Sequence, residues 1–368
     1  MPKPHIHLNH AGTSWPKPEA VIEATHAAMT ECPSKWGEKF YAAHSAIAAF
    51  FGIADPEQLL LTPGCTSSLA VAVGDINLGG RKRVLTSAWE HHALHRPLMK
   101  LMSCGTTLEY IPATEEGPIN LTALETQLAA GDVGLIAITA AANVTGDLLP
   151  YGAAIKLAHQ YDAQVLLDAA QIVGWLDLDF FAIGADLIAF GGHKGLQGPW
   201  GIGGLYIAET ARLNCVSAAC ELTPSGTNPR PGYCDVGSVD QVALAGLHAA
   251  IEWLKTLDRP KHLATAREQI ARIETTLKEI GAKCFAIQPA ADRLPTLAFS
   301  FDRKPSTEIA AALKAHGITV GSGLQCAPLA HQTLGTDAHG LLRISVGLGQ
   351  ADREIEYAIE VLHAYLEN

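Results

Sequence analysis

Short apolar runs alternating with helix-forming segments constrain this chain more than any other feature. Residues 59–62 precede a small-residue helix start at Gly64, 83–86 precede 91–102, and 134–139 precede 151–161; further runs fill 163–168 and 185–190. Each run is apolar on both faces, as strands in a helix-covered parallel sheet are. The pattern predicts an α/β fold with a mostly parallel central sheet flanked by helices and ligands at the carboxyl ends of the strands. After Gly237 the texture changes. Helices are expected at 239–256, 263–280 and 306–316, short strands at 296–301 and 318–320, and a closing strand and helix at 341–346 and 352–366. We therefore expect a large α/β domain over 14–254 and a smaller α+β domain formed by 1–13 and 255–368.

Composition excludes several functions. A net charge of -11 without a Lys/Arg cluster argues against a nucleic-acid partner, because phosphate backbones need a basic face. No run approaches the roughly 20 apolar residues that span a bilayer, and Met1–His5 lacks an apolar signal core, so a cytoplasmic protein is expected. Eight Cys occur without a Cys-x-x-Cys pair, which suggests neither a zinc knuckle nor a disulfide framework; most should be buried, reduced thiols. Among His91, His92 and His95, the pair at i and i+4 shares a helix face, but no acidic or Cys residue joins that face, so no metal is expected. The six Trp are read as core or interface residues. Gly79-Gly80 and Gly203-Gly204 lack nucleotide-loop spacing.

Chemistry concentrates at two strand ends. Asp168, followed by Ala169-Ala170-Gln171, places a carboxylate at the sheet crevice, where it could keep a pyridinium nitrogen protonated. Lys194 follows a strand in Phe190-Gly191-Gly192-His193-Lys194-Gly195. Glycine and apolar neighbours desolvate its amine, lower its pKa and free it for Schiff-base chemistry. Alone, such an Asp is usually a cap and such a Lys usually solvated; the ordered pair in an α/β pattern is what points to a cofactor.

The chain resembles the class V aminotransferase and cysteine desulfurase family of fold-type I pyridoxal phosphate enzymes, from Leu8 to about Gly349. The matching segments include Thr13–Pro18, Glu90-His91-His92, Ala142–Gly146, Asp168–Gln171, Gly192–Gly195, Gly203–Tyr206, Cys326–His331 and Arg343-Ile344-Ser345. This resemblance implies pyridoxal 5'-phosphate held as a Schiff base on Lys194, which also serves as the proton-transfer base. It implies that Asp168 pairs with the ring nitrogen, Gln171 and Asn143 with the phenolic oxygen, and that His91 stacks on the ring. Thr66 and Cys65 in the Gly64–Ser67 turn, with His193, would hold the phosphate at a helix N-terminus, joined by Ser238 from a partner subunit. Arg343 would clamp the substrate carboxylate. Cys326, in a glycine-rich loop expected to be mobile, would attack the substrate sulfur.

The implied activity is cysteine desulfuration in a homodimer, with a small amino-acid substrate and a sulfur-acceptor protein as partners. Selenocysteine lyase, β-eliminating C–S lyase, aminotransferase or epimerase are the enzymatic alternatives. A non-catalytic scaffold has no use for Lys194 with its ring partner. Gly321, Gln325, Gly191, His10, Gly12, Tyr233, Asp235 and the 223–232 stretch depart from the family pattern. They surround the substrate and phosphate, not Lys194, Asp168 or His91.

Overall fold

The computed structural model describes residues 5–115, 117–214, 240–302 and 304–366. In chain order the strands are β1 (Ile6–His7), β2 (Leu59–Thr62), β3 (Arg83–Ser87), β4 (Thr107–Ile111), β5 (Val133–Thr139), β6 (Gln164–Asp168), β7 (Leu187–Gly191), β8 (Gly203–Ile207), β9 (Lys283–Phe285), β10 (Thr296–Ser300), β11 (Ile318–Thr319), β12 (Gly321–Gly323) and β13 (Leu341–Ser345). Seven of them form the central sheet, in the order β2-β8-β7-β6-β5-β3-β4. Neighbours from β7 to β4 pair in parallel; β8 runs antiparallel to both β7 and β2.

The apolar runs are strands because helices cover both faces of the sheet. Every residue of β5, β6, β7 and β8 is buried, so no polar alternation survives in them. The glycine pair that opens β8 makes room for its neighbour. A Cβ on Gly203 would stand 2.4 Å from the Phe190 carbonyl oxygen, and one on Gly204 would stand 2.6 Å from the Phe190 ring.

A second sheet, antiparallel throughout, has the order β12-β13-β10-β9. Helices Arg259–Glu279, Ser306–Ala315 and Asp352–Leu366 accompany it in sequence. The N-terminal segment reaches this part of the molecule: β1 pairs in parallel with β11, and Asn9 bridges to Ser345. The glycines of 321–323 were expected to loosen a loop. They instead form β12, with Gly321 opposite Arg343. No helix among the described residues is long and apolar enough to cross a membrane.

Candidate active site

One rim of the central sheet collects the chemistry. Thr139 ends β5, Asp168 ends β6 and Gly191 ends β7, with Gly203 paired to Gly191. The loops leaving this rim enclose a cavity of about 460 Å³. It is lined by Cys65, Thr66, His91, Asn143, Asp168, Gln171, His193, Lys194, Cys326 and Arg343, with Trp200 among its other walls. Ser238 lies outside the described residues, as do Tyr233, Asp235 and 223–232.

Asp168 is buried, and burial raises its carboxyl pKa against the opposing pull of the Ala170 N–H, Lys194 and Cys65. Both of its side-chain hydrogen bonds fall on Oδ1, from Ala170 N–H (2.9 Å) and the Cys65 thiol (3.4 Å). Oδ2 is left for a cationic partner. Lys194 carries the complementary shift: burial lowers its pKa, with Asp168 resisting, so its amine is easier to deprotonate than an exposed lysine. His91 accepts the Ala93 N–H at Nδ1 (3.0 Å), capping helix His92–Met102. Burial and Lys194 lower its pKa to about 4, so it presents a neutral ring to the cavity.

The helix Cys65–Asp75 begins on the cavity wall at Gly64 with no side-chain cap, leaving first-turn N–H groups for an anion. His193, lowered to about 4 chiefly by burial, meets Thr13 Oγ1 at 3.1 Å. Gln171 donates to the Ala11 carbonyl (3.1 Å), and Asn143 Nδ2 donates to the Gln325 carbonyl (2.8 Å).

Arg343 is 4% exposed, and burial depresses its pKa to about 10. Its Nη1 donates to the Asn143 carbonyl and its Nη2 to Asn9 Oδ1, both at 2.7 Å. Among the described residues no carboxylate pairs with it. A buried guanidinium held only by neutral acceptors costs several kcal/mol unless an anion arrives. Asn9 is a site residue the sequence did not reveal: its partner lies 334 positions away and no motif marks it.

These donors fit pyridoxal phosphate. The cavity offers one free carboxylate oxygen, one desolvated amine, an uncapped helix start, and buried polar atoms without partners at Asn143 Oδ1 and Arg343 Nε.

Some expectations change. None of the five described cysteines is fully buried: Cys32, Cys104 and Cys326 are exposed, and Cys65 and Cys284 intermediate. Trp200 is not a core residue: it is 61% exposed and lines the cavity. His10 does not face the cavity; its ring meets the His7 carbonyl and Gln350. His91 and His95 have separate duties, since His95 meets Tyr110 Oη at 2.7 Å. Among the described residues no three His, Cys, Asp or Glu side chains converge on a metal position.

The family model described as aminotransferase class-V matches residues 9–357. The chain belongs to that family, whose enzymes depend on pyridoxal phosphate. A cysteine desulfurase of Klebsiella pneumoniae is 29% identical over 356 residues, 88% of this chain and 85% of that one. Among solved structures, the cysteine desulfurase of Thermococcus onnurineus NA1 superposes with a TM-score of 0.89 at 23% identity, covering 99% of this chain and 95% of that one. The cysteine desulfurase CsdA of Escherichia coli gives 0.88 at 24%, with the same coverage. These two likenesses establish the fold.

Proposed function

We propose that this enzyme is a cysteine desulfurase-like protein that cleaves the C–S bond of L-cysteine, releasing alanine and leaving the sulfur on Cys326 as a persulfide. One observation carries the reading. Cys326 is an exposed thiol on the wall of the cavity that also holds Lys194, Asp168 and Arg343. Cys65 shares that cavity, but burial pushes its thiol pKa well up and it is spent as a donor to Asp168. The same reading takes 14–254 as the cofactor domain, 1–13 with 255–368 as the smaller domain, and a cytoplasmic homodimer passing sulfur to an acceptor protein.

Pyridoxal phosphate, when bound, supplies an electron sink for the charge that develops at the substrate α-carbon. Lys194 Nζ would carry it, Asp168 Oδ2 would hold the ring proton, and Thr66, His193 and the first-turn N–H groups at Cys65 would hold its phosphate. Asn143 and Gln171 would stand at its phenolic oxygen, and His91 would cover its face. Arg343 takes the substrate carboxylate through its remaining N–H groups. Lys194 Nζ, freed when the substrate amine takes its place and favoured in its neutral form by burial, would remove the α-proton. Cys326 Sγ then attacks the substrate sulfur. The S–S bond forms as the C–S bond breaks and the bonding pair passes to the β-carbon; one proton delivered there and the α-proton returned by Lys194 complete alanine.

Product analysis after incubation with L-cysteine tests this. We expect alanine and a persulfide mass on Cys326, and a loss of about 10²-fold or more in Cys326→Ala. Undiminished alanine in that variant would rule out Cys326 as the sulfur carrier. Pyruvate as the main product would indicate β-elimination, and a keto acid transamination.

A further inference from the structure

Gln325 and Cys326 both stand in the left-handed region, at φ +43° and +59°. Neither is Gly, Asn or Asp, the residues that visit it cheaply, so two in succession persist only where the surroundings impose them. Two of the restraints act on the backbone: Asn143 Nδ2 donates to the Gln325 carbonyl, and the His92 N–H to the Cys326 carbonyl, both at 2.8 Å. The others run through side chains that the mechanism leaves unused. Gln325 Nε2 donates to the Leu341 carbonyl (2.8 Å), and Gln325 Oε1 meets His331 Nε2 (3.0 Å). His331 is fully buried, with Nδ1 at 2.9 Å from the Thr336 hydroxyl.

The donors in the contacts of Gln325 can be assigned. The Leu341 carbonyl can only accept, which fixes the orientation of the Gln325 amide. Its oxygen then faces His331 Nε2, which must carry a hydrogen; burial lowers the His331 pKa, and the neutral ring can accept from the Thr336 hydroxyl at Nδ1, for which the His331 carbonyl at 3.5 Å also competes. Leu341 opens β13, and Arg343 lies two residues further along the same strand. The amide therefore ties the thiol to the strand that carries the guanidinium.

We propose that Gln325 and His331 are positioning residues, a strut that holds the Cys326 turn left-handed and sets the thiol at a fixed place relative to Arg343. The strut aligns the sulfur-attacking atom with a substrate whose carboxylate is held on β13. The inference rests on the reading of Cys326 as nucleophile.

The test compares holoenzyme variants Gln325→Glu, which cannot donate to Leu341, His331→Leu, which cannot donate to Gln325, and His331→Gln, which keeps a donor near the Nε2 position. Alanine formation is read as kcat and KM. The position of the thiol is read without substrate, as the ratio of Cys326 labelling by a bulky maleimide to labelling by iodoacetamide. For Gln325→Glu and His331→Leu, kcat should fall about tenfold or more with KM little changed, because small misplacements of a reacting atom cost this much. Their labelling ratio should rise several-fold as the thiol leaves the cavity wall, and His331→Gln should recover most of both. Wild-type kcat and labelling ratio in Gln325→Glu and His331→Leu would overturn the strut, as would equal losses in His331→Gln and His331→Leu. A raised labelling ratio alongside undiminished alanine in Cys326→Ala would keep the strut and discard the nucleophile.

Discussion

Glu90 sits beside His91 with its carboxyl buried, Oε1 accepting the Ser87 hydroxyl at 2.5 Å and Oε2 without a partner. Burial raises its pKa to about 8, with Asp168 adding to the effect. The sign follows from proton counting. The unfolded chain releases this proton near the ordinary 4.5 while the folded protein keeps it to about 8, so the stabilisation is complete below pH 4.5 and is lost as pH rises through 8. Between pH 5 and 8 one retained proton costs up to about 1.4 kcal/mol per pH unit. Glu90→Gln removes that titration, so urea unfolding of the variant should show a flatter pH dependence over this range. Parallel curves for the two proteins would mean that Glu90 is already ionised in the fold. Such a group is invisible to pattern reading: the sequence shows one Glu before two His, and only packing reveals which carboxylate lost its water. Asp168 and Lys194 were legible because the strand pattern placed both at sheet ends; Asn9 was not, because its contact with Arg343 joins opposite ends of the chain.

Among elements, β8 shows where legibility stopped. Apolar runs announced β2, β3, β5, β6 and β7, and each lies within two residues of its expected bounds. The glycine-led Gly203–Ile207 carries little strand signal, because its first two residues were chosen for the space Phe190 needs and not for β propensity. The edge strand β4 was missed for a different reason: most of Thr107–Ile111 is exposed or half-exposed, so no apolar run marks it. Gly203 also lies against the turn that starts the helix Cys65–Asp75, with its hypothetical Cβ 2.8 Å from Gly64 Cα. Gly203→Ala should therefore act at a distance from its own strand. We expect a loss of about 1–3 kcal/mol from overpacking, together with weaker retention of pyridoxal phosphate, read as faster loss of cofactor on dialysis. Stability loss with unchanged cofactor retention would show that the helix start does not depend on β8.

At the scale of the molecule, the site is assembled from both sheets and the N-terminal segment. Asp168 ends a strand of the central sheet, Lys194 follows another, Arg343 comes from β13, and Asn9 from the segment that bridges to Ser345. Arg343 donates to Asn9 and, through the Asn143 carbonyl, to a loop at the end of the central sheet, so its guanidinium stands where these parts meet. A carboxylate arriving there supplies the anion that the buried charge lacks, and its binding should stabilise the whole fold. Alanine, which carries the carboxylate but no sulfur, should raise the unfolding temperature of the holoenzyme. At about 100 times its dissociation constant the gain is about 2.7 kcal/mol. Arg343→Lys keeps the charge but not the planar fork, so its complex with alanine should show little of that gain. An undiminished thermal shift in Arg343→Lys would mean that the carboxylate is held elsewhere, and would free Arg343 for a purely structural duty between the two sheets.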